Sequence, residues 1–233
     1  MPASPLRRLA GVERGSRLTG GESLPGAKLY VPIADRQPDT VCRRSACWWS
    51  YAGRVDEWWD LVDAAGAPTG ETVRRGGAGW PGGAFHLVVT VCVYRVDGTV
   101  LLTQRAPTKE FAFGWEFPGG SALAGEAGPA AACRELLEEA NVTVEPQALC
   151  HVGRFTENKA LVDLFVVQEP SGSQVRADPA EVMDWRWVSM SEVIALCQSG
   201  VMADPWGPRL DALWPAAVAS ILAADDQRNN TPR

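Results

Sequence analysis

The stretch that decides the fold is GSALAGEAGPAAACRELLEEANV, residues 120–142. Its second half predicts a helix of about three turns over residues 128–140. Gly128-Pro129 is typical of a helix start, because proline at the first helical position has no N–H to leave unbonded. Asn141 suits the position after the last turn, because asparagine tolerates the left-handed conformation that ends many helices.

Three glutamates of this helix, Glu135, Glu138 and Glu139, have the spacing i, i+3 and i+4 and therefore share one face. Clustered carboxylates repel one another unless a cation lies among them. Arg134 offsets one charge. Mg²⁺ offsets more, because it accepts carboxylate oxygens while it keeps water and substrate phosphates in its shell. The pattern therefore predicts a magnesium site, with Mn²⁺ as the alternative ion.

The residues before the helix support this prediction. Pro118-Gly119-Gly120 lets the backbone approach a ligand closely, because glycine has no Cβ, and the Gly119 carbonyl is a candidate for a further metal ligand. A glutamate-rich helix face alone is more often a solvated surface. The whole pattern argues against that alternative, because ordinary residue frequencies would produce all its fixed positions by chance with odds of roughly 10⁻⁶.

Strands and helices surround this segment. Residues 86–95 are apolar and β-branched, which predicts a core strand, and Asp97-Gly98 predicts a hairpin turn into a strand over 99–105. Further strands are expected at 57–63, 148–156, 160–168 and 184–188, a glycine-rich loop at 74–83, and helices from Ser189 to about 198 and at 207–223. Because this order lacks βαβ regularity, it predicts an α+β fold with a mixed sheet between helices.

The composition predicts one globular domain. The chain has 233 residues, of which 46% are hydrophobic and 21% are charged. We expect the domain to cover residues 51–226 and a C-terminal tail to cover 227–233. Residues 1–50 are rich in Pro, Gly and Ser and hold eight Lys and Arg against four Asp and Glu, a net charge of +4. They are expected to form a disordered or weakly docked tail.

Charge and apolar pattern argue against several classes of protein. A net charge of −6 disfavours binding to nucleic-acid polymers or to an anionic membrane surface. No apolar run approaches the roughly 18 residues of a membrane span, and the N-terminus lacks the apolar core of a secretory signal. The six cysteines form no CxxC pair, which predicts reduced thiols rather than a zinc site. A cytoplasmic protein with a small-molecule substrate is expected.

Residues 120–142 resemble the signature of the Nudix hydrolase superfamily: Gly, five residues, Glu, seven residues, then Arg-Glu-aliphatic-x-Glu-Glu-x-Gly-aliphatic. The chain departs from it at Asn141, where the family has Gly, and this position concerns helix termination rather than metal binding. The resemblance implies a Nudix-type mixed β-sheet sandwiched between α-helices. The matching positions are Gly120, Glu126, Arg134, Glu135, Leu136, Glu138, Glu139 and Val142.

The resemblance implies that Glu135, Glu138 and Glu139 bind Mg²⁺, with the Gly119 carbonyl as a possible ligand. Of these, Glu135 and Glu138 are the catalytic candidates. The metal would orient a water and neutralise charge that develops on a diphosphate. The implied activity is that of a pyrophosphohydrolase acting on a nucleoside diphosphate derivative or a related diphosphate.

The resemblance also assigns supporting roles within the signature. Arg134 and Glu126 would pair and, with Gly120, hold the loop–helix–loop segment in shape. Dimers are frequent in the family, so a homodimer is compatible with the resemblance.

Residues outside the signature are weaker candidates. The general base varies across the family, and Glu181 is the candidate because it lies in an expected loop just before a strand; a solvent-exposed loop acid is an equal alternative. Arg105, His86 and Trp115 are candidates for substrate binding, each with a purely structural alternative. Four tryptophans are expected near the cleft, where a purine could stack on one of them: Trp58, Trp59, Trp80 and Trp115.

Residues 58–70, residues 85–89 and Gln104-Arg105 resemble the branch of the family related to isopentenyl-diphosphate isomerase. The isomerases place a catalytic Cys and a metal-binding His immediately after the strand where this chain has residues 117–120, which are Phe-Pro-Gly-Gly. Both are missing, so a hydrolase is favoured over a prenyl-diphosphate enzyme. A catalytically idle nucleotide-binding module is a further alternative, against which the retention of every acid in the signature argues.

Overall fold

The computed structural model describes residues 56–229, and this part of the chain has the expected α+β architecture. The 3-10 turn Pro146–Ala148 follows the first helix. The elements in chain order are β1 (Trp58–Val62), β2 (Pro68–Arg74), β3 (His86–Tyr94), β4 (Thr99–Arg105), β5 (Trp115–Glu116), β6 (Gly119–Ser121), α1 (Gly128–Ala140), β7 (Cys150–Thr156), β8 (Ala160–Gln168), β9 (Val182–Ser189), α2 (Met190–Gln198) and α3 (Trp206–Asn229).

Helix α1 begins and ends where the sequence predicts. Pro129 lies in its first turn, and Asn141 follows its last residue with φ 55° and ψ 33°, the left-handed conformation. The Asn141 N–H donates to the carbonyls of Leu136 and Leu137, so two groups that the helix end leaves unbonded are satisfied. Asparagine therefore ends this helix where the signature has glycine.

The main sheet has seven strands and is mixed. Its strand order is β5-β4-β3-β8-β7, with β6 beside β3 and β9 beside β4. The neighbours β3 and β8 are parallel along their whole length, and the other pairs are antiparallel. Strands buried on both faces are nearly continuously apolar, which explains the composition of β3 and β8.

The two faces of this sheet pack against different helices. In β3, Val89 and Val91 belong to a core with Leu136 of α1. The alternate residue Cys92 belongs to the opposite core, which contains Leu213 of α3. Because successive side chains of a strand point to opposite faces, the sheet is covered by α1 on one side and by α2 and α3 on the other. The expected sandwich is confirmed.

The hairpin β1–β2 forms a separate two-stranded sheet. It has a small core of Leu61, Val73 and Ala84. The Trp58 carbonyl accepts a hydrogen bond from the N–H of Ala124, at 2.8 Å. The hairpin therefore contacts the loop that leads into α1.

Several boundaries differ from the sequence expectations. Strand β2 was not predicted, because its sequence lacks the alternation of apolar and polar residues. Val73 is the one buried residue in this strand. Strands β5 and β6 are too short for a periodic signal, and β9 begins two residues before the expected strand. Helix α3 continues to Asn229 with Pro215 inside it, past the expected end at residue 223 and into the stretch expected to be a tail. The predicted tail over residues 1–50 lies outside the described residues.

Cys92, Cys133, Cys150 and Cys197 are free thiols. Within residues 56–229, no helix combines the length and apolar character needed to cross a lipid bilayer.

Candidate functional site

A cavity of about 500 Å³ opens beside the acidic face of α1. Its walls come from β3, the loop after β4, the segment β5–β6, the residue before β9 and the start of α3. Among the described residues, seven acids and five bases line it, which is a net charge of −2 when all are ionised. The acids are Glu57, Glu110, Glu116, Glu135, Glu138, Glu139 and Glu181, and the bases are Arg75, Arg105, Lys109, Arg134 and Arg209.

Three carboxyl groups on one wall are largely removed from water. Burial, followed by the negative charge of Glu116, raises the pKa of Glu139 to about 8. Burial also raises the pKa values of Glu116 and Glu135, which the positive charges of Arg105 and Arg134, respectively, partly offset. The three acids thus disfavour one another's ionisation, as carboxylates that share a site do.

Two glycines make room for these acids. A Cβ on Gly120 would lie 2.5 Å from Oε1 of Glu135, and a Cβ on Gly119 would lie 2.1 Å from the carbonyl oxygen of Val89. The Gly119 N–H donates a hydrogen bond of 3.0 Å to Oε2 of Glu139. Glycine at both positions therefore allows β6 to pair with β3 while it lies directly against the carboxylates of α1.

Arg134 connects the acidic helix to the loop before it. Its Nε and Nη2 donate to the two carboxylate oxygens of Glu126 at 3.0 and 2.9 Å, and Nη2 also donates to the Ser121 carbonyl at 3.0 Å. Its Nη1 donates to Glu135 and Glu138 at 2.9 and 3.0 Å. Burial raises the pKa of Glu126, but hydrogen bonds from Arg134 and from the Leu123 N–H, together with the positive charge of Arg134, lower it further. The net result is a pKa below the ordinary range.

The acidic wall has the oxygen donors that a hard divalent cation prefers. Its side chains, however, do not converge on a single point as metal ligands do. In residues 56–229, no group of three or more His, Cys, Asp or Glu side chains is arranged to hold a metal ion. Arg134 accounts for this at Glu135 and Glu138, since it takes an oxygen of each. The donors are nevertheless carboxylate oxygens, which Mg²⁺ and Mn²⁺ prefer, and the cavity carries excess negative charge that a cation would offset.

The opposite wall is the loop of residues 106–114, which Arg105 holds in place. The Arg105 Nη1 donates to Oε1 of Glu116 at 2.6 Å, and its Nε donates to the Glu110 carbonyl at 2.5 Å. Lys109 forms an ion pair with Glu181. The structure thus brings the candidate base to the rim of the cavity, where its side chain is 41% exposed. It gives Arg105, the candidate phosphate ligand, two partners within the protein.

The other two candidates for substrate binding do not line the cavity. The His86 ring stacks on Trp59 with 4.3 Å between ring centroids, and its Nδ1 lies 2.8 Å from the Lys159 carbonyl oxygen. Burial lowers the pKa of His86. The Arg186 guanidinium lies 4.0 Å from the ring centroid of Trp115.

Nor do the remaining tryptophans that were expected near the cleft line this cavity. Trp80 packs edge-on against Trp59, and Trp58 borders a separate surface depression. Trp59 and Trp80 pack against the small core of the hairpin β1–β2.

Sequence reasoning missed four residues of the cavity wall. Glu116 had a signal, because an acid between Trp115 and Phe117 interrupts an apolar run that leads directly into the two glycines. Arg209, Trp206 and Phe111 had none: the two α3 residues lie far from the signature in the chain, and Phe111 lies in a loop without periodicity. Arg209 is fixed there by Nε and Nη2 hydrogen bonds of 2.5 and 2.9 Å to the carboxylate of Glu157.

A mixed sheet between helices, with an acidic helix facing a cavity, defines the Nudix class of domains. Comparison with known proteins gives the same result: residues 84–205 match the model of the NUDIX domain. An uncharacterized Nudix hydrolase of Listeria monocytogenes is 32% identical over 150 residues, which cover 62% of this chain and 86% of that protein. A second uncharacterized Nudix hydrolase, from Listeria innocua, is similar to the same extent.

The chain belongs to the Nudix hydrolase family, whose members act on diphosphate bonds. A crystal structure from Deinococcus radiodurans shares the fold, with a TM-score of 0.53 and 22% identity over 63% of this chain and 92% of that one. The hairpin β1–β2 and the whole of α3 lie outside the residues that match the domain model.

Proposed function

We propose that this protein is a Mg²⁺-dependent pyrophosphohydrolase that cleaves the diphosphate bond of a nucleoside diphosphate derivative. The observation that carries the proposal is the group of carboxyls of Glu116, Glu135 and Glu139, two of them buried and Glu135 partly buried, on one wall of a cavity with net negative charge. A diphosphate is itself an anion and would be repelled by this wall. A divalent cation between them removes the repulsion.

Glu135, Glu138 and Glu139 would hold the ion, with the Gly119 carbonyl as a further ligand. The side chain of Glu138 is 54% exposed, so it can leave Arg134 and turn toward the ion at little cost. When bound, the metal supplies charge neutralisation at the diphosphate and orients a water. Arg134 would keep its paired hydrogen bonds to Glu126 and so preserve the position of α1 while the acids rearrange.

Glu181 is proposed as the base. In hydrolysis, the water oxygen forms a bond to one phosphorus, the P–O bond to the bridging oxygen breaks, and one proton of the water passes to the carboxylate. The ion pair with Lys109 holds the Glu181 carboxylate at the rim of the cavity, where it can receive that proton. Lys109 lines the same cavity and can contact the phosphate product when Glu181 is protonated.

The direct test is hydrolysis by the purified protein with excess Mg²⁺, or with excess EDTA, across a panel of nucleoside diphosphate derivatives and prenyl diphosphates. We expect a nucleoside monophosphate product with Mg²⁺ and none with EDTA. Glu138→Gln, which retains the shape of the side chain, is the matched variant. Equal background rates for wild type and Glu138→Gln on every substrate would contradict the proposal.

The same panel tests the alternative of a catalytically idle nucleotide-binding module. That module would bind nucleoside diphosphates in calorimetry and leave them intact in the hydrolysis assay. Isomerisation of isopentenyl diphosphate would instead reveal a prenyl-diphosphate enzyme.

A further inference from the structure

We propose that Phe111 is the platform on which the substrate stacks a planar aromatic group, so that the ring of Phe111 selects nucleotides over other diphosphates. This inference rests on the proposed function, which it deepens by assigning the residue that binds the nucleobase. Three observations support it. Phe111 is exposed, its loop is strained, and the other aromatic rings that line the cavity are buried in the core.

Phe111 differs in exposure from the other aromatic residues that line the cavity. Among the described residues these are Phe111, Phe117 and Trp206. Phe117 and Trp206 are 1% exposed and pack edge-on against each other, whereas Phe111 is 40% exposed. An exposed phenyl ring forfeits the favourable free energy of its burial unless a ligand covers it.

The backbone of this loop is strained. Phe111 has φ 53° and Phe113 has φ 67°, both in the left-handed region that bulky residues rarely adopt. Such a conformation costs on the order of 1–3 kcal/mol per residue and persists only where surrounding contacts enforce it. Strain of this kind concentrates at ligand sites, because it presents a side chain that a relaxed loop would turn elsewhere.

The contacts that enforce this conformation come from the start of the loop. The Arg105 carbonyl accepts from the Phe113 N–H at 3.1 Å, and the Arg105 N–H donates to the Gly114 carbonyl at 3.0 Å. The Phe113 carbonyl accepts from the Gln104 side-chain amide at 2.9 Å. The Phe111 carbonyl accepts from the Gly114 N–H at 3.1 Å. Phe111 is therefore held at the wall of the cavity before a ligand arrives, which limits the entropy lost on binding.

The contents of the cavity fit a nucleotide. Phe111 lines the same cavity as the acids of α1, so a diphosphate at the metal and a base at the phenyl ring can belong to one molecule. The volume of about 500 Å³ lies in the range of sites that enclose a small ligand. Stacking on a phenyl ring tolerates any base, because every base has a π face.

The test compares binding with and without an aromatic group on the ligand. Calorimetry with Ca²⁺ in place of Mg²⁺ measures the Kd of ADP, GDP, CDP and UDP, and that of methylenediphosphonate, which has two phosphonates and no ring. We expect Phe111→Leu to weaken at least one nucleoside diphosphate about tenfold and to leave methylenediphosphonate unchanged. Leucine keeps the Cβ and most of the apolar volume of phenylalanine, so a loss of nucleotide affinity in this variant measures the contribution of the aromatic ring.

The loop supplies its own control. Phe113 is also exposed and also left-handed, but it does not line the cavity. Phe113→Leu should leave every Kd unchanged, and Phe111→Tyr should retain the wild-type values. Equal weakening of methylenediphosphonate by Phe111→Leu, or equal effects of the two leucine variants, would overturn the stacking proposal.

Binding is measured without turnover, so the outcome is separable from that of the proposed function. A protein that hydrolyses nucleoside diphosphate derivatives but is indifferent to Phe111→Leu contradicts the stacking proposal alone. One that binds nucleotides through Phe111 and hydrolyses none contradicts the proposed function alone.

Discussion

The two walls of the cavity are built in different ways. The acidic wall consists of α1 and the segment before it that contains the two glycines, about twenty consecutive residues in which Glu139 is buried and Glu135 is partly buried. The opposite wall combines the loop 106–114, Glu181 and the first turn of α3, and the backbone of its loop is strained at Phe111 and Phe113. The chemistry of the acidic wall suits a metal and a diphosphate. The other is assembled from distant segments and is suited to recognising the rest of a substrate.

The largest effect is expected on the acidic wall. Glu139→Gln should reduce kcat by about 10²–10³-fold, because metal stabilisation of a diphosphate transition state is worth several kcal/mol and each 1.4 kcal/mol is tenfold. Steady-state hydrolysis with Mg²⁺ measures it. The control is Glu145→Gln, an exposed acid beyond α1 that does not line the cavity. An unchanged kcat for Glu139→Gln would place the chemistry on another wall.

The next largest effect is expected where the two walls meet. Arg105→Gln leaves the buried Glu116 without its cation, and breaking a buried pair in this way should reduce the free energy of unfolding by about 3 kcal/mol. Urea denaturation measures the loss. The double variant with Glu116→Gln should recover much of it, because no buried charge then remains unpaired. A double variant no more stable than Arg105→Gln would show that the loop, rather than the charge pair, determines the stability.

A smaller effect is expected from a single methyl group on the acidic wall. Gly120→Ala places a Cβ against the flexible carboxylate of Glu135, so the side chain can shift and the fold should survive with a loss below about 1 kcal/mol. Affinity for Mn²⁺, followed by electron paramagnetic resonance, should fall about tenfold, since the displaced oxygen is a proposed ligand. Gly82→Ala is the matched control, because nothing lies within 4 Å of its added Cβ.

A dependence of stability on pH is also expected from the acidic wall. The pKa of Glu139 is raised from 4.5 to about 8, so in this window the folded protein binds a proton that the unfolded chain releases. Stability of the metal-free protein should therefore fall as the pH rises from 5 toward 8. The Tm should drop by about 10 °C, and Mg²⁺ should raise it more at pH 8 than at pH 5.5. Glu139→Gln should flatten the dependence, and a wild-type Tm that rises through this window would contradict the linkage.

These walls also differ in how far the sequence predicts them. The start and end of α1 follow from Pro129 and Asn141, because helix termini are set by local backbone preferences. The shared face of Glu135, Glu138 and Glu139 follows from the helical repeat. The pairing of Arg105 with Glu116 could not be derived in this way, because it depends on the register between β4 and β5, in which Gln104 lies opposite Trp115.

The aromatic residues show the same limit. Four tryptophans were expected near the cleft, and the structure instead places the exposed ring of Phe111 there. Composition indicates that large rings will be buried, but it does not indicate against which partners. His86 illustrates this, since its stacking on Trp59 depends on how the hairpin β1–β2 docks near the start of β3.

The sequence by itself determined the acidic helix, the glycines before it, the Nudix class and the reaction class that these imply. Short-range rules suffice for the helix, because its ends and its shared face depend on neighbouring residues, and the family resemblance supplies the class. Tertiary structure alone decided that Glu116 joins the acids, that Arg209 and Phe111 reach the cavity, and that His86 and Trp115 do not line it. Those outcomes depend on strand register and on packing between distant segments, which local preferences leave undetermined.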